Sequence, residues 1–244
     1  MKALAPLTLS LLAFACADGS AQTKAPPSPC REQRFEGSGF IVCTPAGTAK
    51  LKLFAAAPGE PARRAFRDLG LNDSKVAFAM NAGMYDNAGR PIGLTIVEGR
   101  QVHKISLRPG GGNFGMKPNG VFLVRRDGRA EIVTSEKFKP AKDIRLATQS
   151  GPMLVVGGKL HPSFKPNGDS IYIRNGVGIG PAGTPLFVIS TDPVSFGRLA
   201  RFFRDRLKTP NALYFDGSVS SLWDPANGRM DVVTELGPII VARR

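Results

Sequence analysis

Hydrophobic and polar residues alternate with a period of two along much of the chain. This is the pattern of β-strands that bury one face and leave the other polar. The alternation predicts strands over residues 50–54, 76–80, 92–97, 121–124, 171–174, 186–189, 213–216 and 239–241. The 28 glycines and 20 prolines fit this interpretation, because many short strands must be joined by many turns.

Helical periodicity is confined to two segments. The clearer helix is expected to begin at Asp192-Pro193, a good cap followed by a good first-turn residue. Its apolar face consists of Phe196, Leu199, Ala200, Phe203 and Leu207. A weaker helical pattern covers residues 61–69. Many strands and only two helices predict an α+β fold, a single domain with a mixed or antiparallel β-sheet and few helices.

The N-terminal residues predict export. A basic start, an apolar run and small residues up to Ala21 together indicate a signal peptide over residues 1–21. The proline-rich residues 22–29 are expected to form a flexible lead-in, and residues 30–244 the folded domain. The protein is therefore expected to be periplasmic or secreted. The alternative is lipid anchoring through Cys16, since the residues before it resemble a lipoprotein cleavage site.

Two cysteines remain after the signal region, Cys30 and Cys43, with 12 residues between them. An even pair in an exported chain favours a disulfide. A bridge that closes so short a loop contributes about 3 kcal/mol in the chain-entropy model.

Composition adds a charge imbalance to this picture. The hydrophobic fraction of 42% and the charged fraction of 21% are typical of a globular protein and exclude a disordered chain or a polytopic membrane protein. The 33 Lys and Arg residues against 19 Asp and Glu give a formal net charge of +14. Such a charge favours an anionic partner, which could be nucleic acid, an acidic membrane surface or glycan, or a phosphorylated small molecule.

Polar residues recur at the ends of the predicted strands, each with a glycine one or two positions later. The set consists of Asn81, Asn119, Gln149-Ser150, Asn175 and Asp216. Polar side chains held by rigid strands beside glycine turns are a common basis of binding sites. The alternative for each one is a plain turn, in which the side chain bonds to its own backbone.

Two of these strand ends carry charged side chains. Strand parity places Tyr214 and Asp216 on one face, with Ser218, Ser220 and Ser221 following. A carboxylate there could act as nucleophile or general base, or it could only cap the turn. Arg174 follows a similar alternating run and could hold a phosphate or carboxylate through its planar fork, or it could be an exposed surface arginine.

Several other chemistries are disfavoured. The sequence has no Gly-x-Ser-x-Gly elbow, no P-loop and no dinucleotide fingerprint that joins a predicted strand to a predicted helix. Its two histidines, His103 and His161, stand far apart and outside any metal-ligand spacing, so both are expected on the surface. No metal site and no cofactor are therefore expected, although a role for a divalent cation stays open. One Trp, three Tyr and an export signal argue against nucleic-acid binding.

Five phrases of the sequence closely resemble, in order, the motifs of the phosphodiester glycosidase family. They are FAMNAGMY at 78–85, GNF at 112–114 with KPNGVF at 117–122, ATQSGPML at 147–154, IRNGVG at 173–178 and ALYFDG at 212–217. The resemblance covers roughly residues 30–244. One departure concerns the last motif, since Asp216-Gly217 is followed by Ser218 where one branch of the family carries a second glycine.

The resemblance implies an exported α+β hydrolase that cleaves the glycosidic bond of a sugar-1-phosphodiester. Asp216 would be the catalytic base or nucleophile, Arg174 would neutralise the phosphate, and Asp86 is the nearest candidate for a second carboxylate. The remaining candidates for substrate binding are Asn81, Asn119, Gln149, Ser150, Asn175, Ser218 and Ser221.

The expected partner is a sugar phosphodiester or another anionic glycan, with peripheral association with the cell envelope. Two rival functions remain open at this point. One is a non-catalytic envelope protein that binds anionic glycans. The other is a phosphodiesterase that cleaves the P–O bond.

Overall fold

A computed structural model describes residues 1, 27–108, 110–232 and 234–244 of the chain. Apart from Met1, the proposed signal peptide with Cys16 and residues 22–26 of the proline-rich lead-in lie outside the described residues. The end of that lead-in belongs to the fold, since Ser28 is buried and its hydroxyl donates to the Asp224 carboxylate at 2.8–2.9 Å. The folded part therefore begins before Cys30.

Short strands make up most of the regular secondary structure of the described residues. They are β1 (Cys30–Phe35), β2 (Ser38–Cys43), β3 (Leu51–Phe54), β4 (Val76–Asn81), β5 (Thr95–Val97), β6 (Arg100–His103), β7 (Gly120–Arg125), β8 (Ala130–Thr134), β9 (Ile144–Ser150), β10 (Met153–Val156), β11 (Lys159–Leu160), β12 (Asn175–Ile179), β13 (Pro185–Ser190), β14 (Asn211–Tyr214), β15 (Leu222–Asp224), β16 (Arg229–Met230) and β17 (Ile239–Arg243).

Helices are few and short among these residues. The α-helices are α1 (Gly112–Gly115) and α2 (Phe196–Arg201), and α2 continues as a π-helical segment over Phe202–Arg206. Single 3-10 turns occupy Thr48–Lys50, Phe66–Leu69, Asp73–Lys75, Ser135–Lys137, Gly217–Val219 and Pro225–Asn227. No helix in the described ranges is long and apolar enough to cross a membrane.

The strands form three antiparallel sheets. The first has the order β1-β2-β13-β12-β14-β10-β11, the second β16-β15-β4-β17-β3, and the third β6-β5-β9-β7-β8. Neighbouring strands pair antiparallel in all three sheets. The α+β class with few helices is therefore confirmed, and the sheets are antiparallel rather than mixed.

One hydrophobic core joins the three sheets. The ring of Phe187 on β13 lies 5.5 Å from the ring of Phe78 on β4 and 5.7 Å from that of Phe122 on β7. Each of these three side chains comes from a different sheet, and all three are fully buried. Burial of three aromatic side chains at this junction fixes the sheets relative to one another.

The predicted strands agree with the structure where the segment is buried. The segments 76–80, 121–124, 186–189 and 239–241 lie within β4, β7, β13 and β17. Residues 171–174 do not form a strand, because Ile171 and Tyr172 are exposed and only Tyr172 makes an isolated bridge, to Val194. The predicted strand over 213–216 ends at Tyr214, so Asp216 stands beyond the sheet.

The start of the main helix was predicted too early. Helix α2 begins at Phe196, and the Ser195 side chain caps it by accepting from the Arg198 amide at 3.2 Å. The Asp192 carboxylate instead accepts from the Gly39 amide at 2.7 Å, which ties this turn to β2. The predicted helix over 61–69 is reduced to the 3-10 turn Phe66–Leu69.

The disulfide between Cys30 and Cys43 is confirmed. The two cysteines stand opposite each other in the antiparallel pair β1–β2. The bridge therefore joins the open ends of this hairpin at the edge of the first sheet.

Candidate functional site

Two adjoining clefts lie around the turn that follows β14. The first, of about 370 Å³, is lined by Asn113, Ser170, Tyr172, Arg174, Tyr214, Gly217 and Ser218 and is called the Arg174 cleft. The second, of about 410 Å³, is lined by Tyr172, Ile173, Ser190, Thr191, Gly217, Ser218, Ser220, Arg229 and Asp231 and is called the Arg229 cleft. Tyr172, Gly217 and Ser218 line both clefts, so these three residues form the ridge between them.

Arg174 is buried, and the alternative of an exposed surface arginine is wrong. Only 1% of the residue is accessible, although it lines the Arg174 cleft. Its Nε donates to the Val194 carbonyl at 2.8 Å and its Nη1 to the Tyr214 hydroxyl at 2.9 Å. Its Nη2 donates to the carbonyl and the hydroxyl of Ser170, each at 2.9 Å. These bonds hold the guanidinium in one orientation.

The positive charge of Arg174 has no carboxylate partner among the described residues. The guanidinium carbon lies 3.7 Å from the centre of the Phe196 ring, and its hydrogen-bond acceptors are neutral. Burial lowers the pKa of Arg174, and the neighbouring Tyr214 opposes that shift. Since arginine stays protonated in proteins, the site holds a buried cation without a counter-charge. An anionic ligand would supply that counter-charge.

Asp216 lies two residues after the end of β14 and is partly exposed. Its Oδ1 accepts from the Ser218 amide at 3.2 Å, so it caps the turn Gly217–Val219, as one of the alternatives expected. Burial raises the pKa of the carboxyl group, while hydrogen bonds from Ser218 lower it. The group can therefore cap the turn and still present a basic oxygen to a substrate.

The structure places Asp216 outside the lining of both clefts. The two residues that follow it, Gly217 and Ser218, line both of them. Burial and, to a smaller extent, the charge of Asp216 raise the pKa of Tyr214, a residue of the Arg174 cleft, and the pKa of Tyr85. The carboxylate therefore neighbours the Arg174 cleft without forming part of its wall.

Asn81 and Asn175 are brought together as the sequence suggested, but they bond to each other and to the backbone. Nδ2 of Asn175 donates to Oδ1 of Asn81 at 2.8 Å and to its carbonyl at 3.0 Å. Nδ2 of Asn81 donates to the Asp216 carbonyl at 2.7 Å, and its Oδ1 accepts from the Ser221 amide at 2.9 Å. Both side chains are buried. They position the Asp216 turn instead of facing a cleft.

Asn119, Gln149 and Ser150 do not line either cleft. Asn119 donates to the Phe114 carbonyl at 2.9 Å. Gln149 is saturated, because its Oε1 accepts from the Leu94 and Ser106 amides and its Nε2 donates to the Ser106 carbonyl and the Ser135 hydroxyl. Ser150 is fully buried, and its hydroxyl has no partner in the described part of the chain.

The two candidate serines after Asp216 differ in accessibility. Ser218 is exposed and lines both clefts, so its hydroxyl can reach a ligand in either one. Ser221 is buried, and its hydroxyl donates to the Val219 carbonyl at 2.8 Å. Of the seven candidates for substrate binding besides Arg174, only Ser218 lines a cleft.

The sequence did not single out Tyr214, Tyr172, Ser170 or Asn113, which all line the Arg174 cleft. The alternation of side chains along extended segments could have pointed to two of them. Tyr214 shares a strand face with Asp216, and Tyr172 precedes Arg174 by two positions in an extended segment. Asn113 belongs to one of the recognised motifs, but Ser170 has no such signal.

Two expectations about titratable residues are corrected. Asp86 lies in a turn with Arg90 and lines a different cavity, together with His103. Hydrogen bonds from the Arg90 backbone and side chain lower the pKa of Asp86, which is unfavourable for a general acid.

The two histidines differ in burial. His103 is exposed as expected, but His161 is buried. In the ranges that the structure covers, no three His, Cys, Asp or Glu residues form a group that could hold a metal ion.

Comparisons with known proteins agree with this geometry. Residues 74–231 match the family model described as phosphodiester glycosidase. The chain is also 40% identical over 152 residues to the uncharacterized protein YigE from Escherichia coli. That alignment covers 62% of this chain and 59% of YigE, so the match spans less than two thirds of the relative.

Three solved structures share the fold. The catalytic domain of zebrafish N-acetylglucosamine-1-phosphodiester alpha-N-acetylglucosaminidase, auto-inhibited by its pro-peptide, matches with a TM-score of 0.60 and 13% identity over 88% of this chain and 81% of that one. A hypothetical protein from Synechocystis matches with a TM-score of 0.56 and 14% identity, covering 87% and 61% of the two chains. A protein from Burkholderia pseudomallei, described as exported, matches with a TM-score of 0.52 and 13% identity, covering 84% and 74%.

Proposed function

Because this chain belongs to the phosphodiester glycosidase family, we propose that it hydrolyses the glycosidic bond of a sugar whose anomeric carbon is joined to a phosphodiester. The observation that carries the proposal is the buried Arg174 guanidinium, which lines a cleft and has no carboxylate partner in the described part of the chain. A phosphodiester carries one negative charge, which would compensate this cation. The planar guanidinium fork also suits phosphate oxygens better than a lysine would.

The reaction requires a basic group near the anomeric carbon. Asp216 supplies it, because burial raises the pKa of this carboxyl group and leaves the ionised form a stronger base. Glycosidic cleavage proceeds through an oxocarbenium-like transition state, which a nearby carboxylate stabilises. Asn81 fixes the turn that carries Asp216 through its bond to the Asp216 carbonyl.

The bond that breaks joins the anomeric carbon to the phosphate oxygen. Its electron pair goes to the departing phosphate, the oxygen of a water molecule becomes the new hydroxyl of the sugar, and the second proton of that water passes to Asp216. The leaving phosphate monoester is a weak base, with a second pKa of about 6. It needs a cation more than a proton, and Arg174 provides that cation. No carboxylate, Asp216 included, is among the described residues that line the Arg174 cleft, so none of these residues could act as a carboxylic general acid.

Export is part of the proposal. The Cys30–Cys43 disulfide supports a location outside the cytoplasm, because cytoplasmic thiols are kept reduced. The structural neighbour from Burkholderia pseudomallei is described as exported. We therefore place the reaction in the periplasm or outside the cell.

A screen of sugar-1-phosphodiesters against the purified protein tests the proposal. We expect release of free sugar and phosphate monoester, and loss of at least about a thousandfold in kcat/KM for Asp216→Asn. Arg174→Lys, which keeps the charge but loses the fork, is expected to lose about a hundredfold. Asp86→Asn is the matched control carboxylate, since it lines another cavity, and it should retain wild-type activity.

Turnover in oxygen-18 water then separates the two hydrolytic reactions. Label in the sugar means cleavage of the C–O bond and supports the proposal. Label in the phosphate means a phosphodiesterase that cleaves the P–O bond. Binding of the phosphodiester without any turnover would mean a glycan-binding protein. Either of the last two results would overturn the proposed glycosidase activity.

A further inference from the structure

Three aromatic rings lead from the buried guanidinium to a segment outside both clefts. They belong to Phe196, the first residue of α2, and to Phe164 and His161 in the segment 161–170, which contains no helix or strand. None of the three residues lines either cleft. We propose that these rings, called the aromatic stack, position Arg174 for the phosphate, and that Phe164 acts through Phe196. This inference rests on the proposed function and adds positioning residues that touch no substrate.

The rings of the aromatic stack lie face to face. The ring centres of His161 and Phe164 are 4.7 Å apart with 25° between their planes, and those of Phe164 and Phe196 are 5.0 Å apart with 11° between them. The guanidinium carbon of Arg174 lies 3.7 Å from the centre of the Phe196 ring. A guanidinium and a second ring do not fit side by side over one six-membered ring. Phe196 is therefore held between Arg174 and Phe164.

The Phe196 ring restricts a movement that hydrogen bonds restrict less. The N–H donors of a guanidinium lie in its plane, so the bonds of Arg174 to Val194, Tyr214 and Ser170 hold its edges. A ring in contact with its face opposes tilting out of that plane, and the π-electrons of the ring also stabilise the cation. A carboxylate would stabilise the cation by neutralising it. The ring instead leaves the positive charge available to a phosphate.

His161 fixes the far end of the aromatic stack. The residue is buried, and Nε2 of its ring lies 2.9 Å from the Lys117 carbonyl. Its Nδ1 accepts from the Ser163 amide at 3.2 Å, and its own amide donates to the Leu154 carbonyl on β10 at 3.2 Å. Phe164 thus packs against a ring whose orientation is set by hydrogen bonds on both nitrogens.

The segment 161–170 reaches the guanidinium by two routes. Its last residue, Ser170, accepts from Nη2 of Arg174 through both its carbonyl and its hydroxyl oxygen, each at 2.9 Å. Phe164, which is half-buried, reaches the face of the same guanidinium through Phe196. One segment therefore constrains Arg174 both in the plane of the guanidinium and across it.

Phe164→Leu tests the aromatic stack, because leucine keeps an apolar side chain but removes the flat ring. Phe35→Leu is the matched control. Phe35 is half-buried against the same hydrophobic cluster, where its ring meets Phe202 edge-on with centroids 5.8 Å apart. On a sugar-1-phosphodiester, we expect kcat/KM to fall about tenfold in Phe164→Leu and less than about twofold in Phe35→Leu. Equal losses would overturn the inference, because loss of packing alone would then explain them.

A double-mutant cycle shows whether Phe164 acts through Arg174. A lysine ammonium has no planar face that a ring could align. In the Arg174→Lys background, we therefore expect Phe164→Leu to lower kcat/KM by less than about a further twofold. A further loss of about tenfold would show that Phe164 acts independently of the guanidinium, which contradicts a positioning role.

Hydrogen exchange of the Arg174 side chain tests the aromatic stack without any substrate. The Nε–H group donates to the Val194 carbonyl at 2.8 Å, so it exchanges with water only when the guanidinium leaves its position. The signal is assigned by its loss in Arg174→Lys. We expect it to exchange about fivefold faster in Phe164→Leu and at the wild-type rate in Phe35→Leu.

This exchange measurement separates failure of the aromatic stack from failure of the proposed function. If the wild-type protein hydrolyses no sugar phosphodiester, the proposed function fails, and the exchange rate alone decides whether the stack holds Arg174. Faster exchange in Phe164→Leu alone supports the stack. An unchanged rate, or an equal acceleration in Phe164→Leu and Phe35→Leu, overturns it.

Discussion

The hydroxyl oxygen of Tyr214 lies 2.9 Å from Nη1 of Arg174 and accepts a hydrogen bond from it. Burial raises the pKa of Tyr214 to about 12, although Arg174 opposes the shift, so the hydroxyl keeps its proton across the physiological range. The oxygen is occupied by Arg174, and the hydroxyl hydrogen has no acceptor among the described residues. Tyr214 lines the Arg174 cleft, so this hydrogen can be donated to a phosphate oxygen.

Tyr214→Phe tests this role. The ring packs edge-on against Phe196 with centroids 4.7 Å apart, and phenylalanine preserves that contact. We expect kcat/KM to fall about tenfold to a hundredfold, because the phosphate loses one donor and Arg174 loses one of its anchors. The free energy of unfolding should fall by about 1–3 kcal/mol, since a buried guanidinium donor is left without an acceptor.

Tyr85→Phe is the matched control for Tyr214→Phe. The Tyr85 hydroxyl donates to the Glu235 carbonyl at 2.5 Å and lines neither cleft. Steady-state kinetics and urea unfolding of both variants should show an activity loss in Tyr214→Phe alone. Equal activity in the two variants would remove the Tyr214 hydroxyl from the reaction.

The Tyr214 hydroxyl lies so close to the backbone at position 217 that only glycine fits there. A Cβ atom at position 217 would lie 1.5 Å from that hydroxyl oxygen and 2.4 Å from the ring carbon that bears it. We therefore expect Gly217→Ala to displace the Tyr214 ring or the Asp216 turn, with large losses of activity and about 1–3 kcal/mol of stability. Gly47→Ala is the control, because a Cβ there meets no atom within 4 Å.

The same clash predicts coupling between positions 217 and 214. In a double-mutant cycle of Gly217→Ala and Tyr214→Phe, the combined loss of stability should be smaller than the sum of the single losses, because the closest clashing atom, the hydroxyl oxygen, is gone while the ring carbon at 2.4 Å remains. Additive losses would show that the clash with the hydroxyl oxygen does not account for the effect of the methyl group. Chemical denaturation of the four proteins gives the coupling energy.

Asp216→Asn should separate activity from stability. Burial raises the pKa of Asp216 above its unfolded value, so the stability from this group is complete below pH about 4 and is lost as the pH rises through the folded pKa. At pH 7 the ionised carboxylate therefore costs stability. We expect the inactive Asn variant to unfold at equal or higher urea concentration than the wild type at pH 7.

The pH dependence of stability provides the test that could contradict this prediction for Asp216→Asn. The stability difference between variant and wild type should shrink toward pH 4, where the wild-type carboxyl group becomes protonated. A variant that is less stable than the wild type at pH 7 but not at pH 4 would mean that the ionised carboxylate stabilises the fold. Asp216 would then be a structural turn residue.

The paired amides of Asn175 and Asn81 predict a sharp effect of one isosteric change. In Asn175→Asp, a carboxylate oxygen would replace the amide that donates to Oδ1 and the carbonyl of Asn81 at 2.8 and 3.0 Å. Two acceptors would then face each other in a buried site. We expect a loss of about 2–4 kcal/mol and a fall in kcat, because the network also holds the Asp216 turn.

Asn211→Asp is the matched control for Asn175→Asp. Oδ1 of Asn211 accepts from the Gly157 amide at 3.0 Å at an exposed position, and aspartate retains that acceptor. Thermal unfolding and kinetics should leave this control close to wild type. A similarly mild result for Asn175→Asp would show that the buried amide pair does not hold the site together.

The strand pattern predicted elements that are buried. β4 and β13 were found from sequence because each buries one row of large apolar side chains in the core between the sheets. The segment 171–174 alternates equally well, yet Ile171 and Tyr172 are exposed, and Tyr172 pairs with Val194 only through an isolated bridge. Alternation alone cannot show whether a segment pairs with a neighbouring strand, and this is why the strand prediction failed near the site.

Only part of the candidate site could be predicted from the sequence, for a related reason. Polar residues beside glycine were found easily, but the sequence could not say whether an amide faces a ligand or another amide. Arg174 and Ser218 line a cleft, whereas Gln149 uses all its hydrogen-bonding groups within the fold. That difference depends on contacts between segments far apart in sequence. Tyr214, for example, meets Arg174 from 40 positions away.

The buried His161 predicts acid sensitivity of the fold. Nε2 of its ring lies 2.9 Å from the Lys117 carbonyl, and its Nδ1 accepts from the Ser163 amide at 3.2 Å. With one nitrogen accepting, the neutral ring donates through Nε2. Burial lowers the pKa of His161, so its contribution to stability is present above pH about 6.5 and is lost as the pH falls through the folded pKa.

His161→Gln and His103→Gln form a matched pair for this last prediction. We expect the free energy of unfolding of the wild type to fall between pH 7.5 and pH 5.5, because the unfolded chain takes up a proton that the folded chain disfavours. His161→Gln should be less stable at pH 7.5 but should show a smaller fall. His103 is exposed, so its replacement should leave the full pH dependence in place. If the two variants show the same dependence as the wild type, the acid sensitivity arises from groups other than His161.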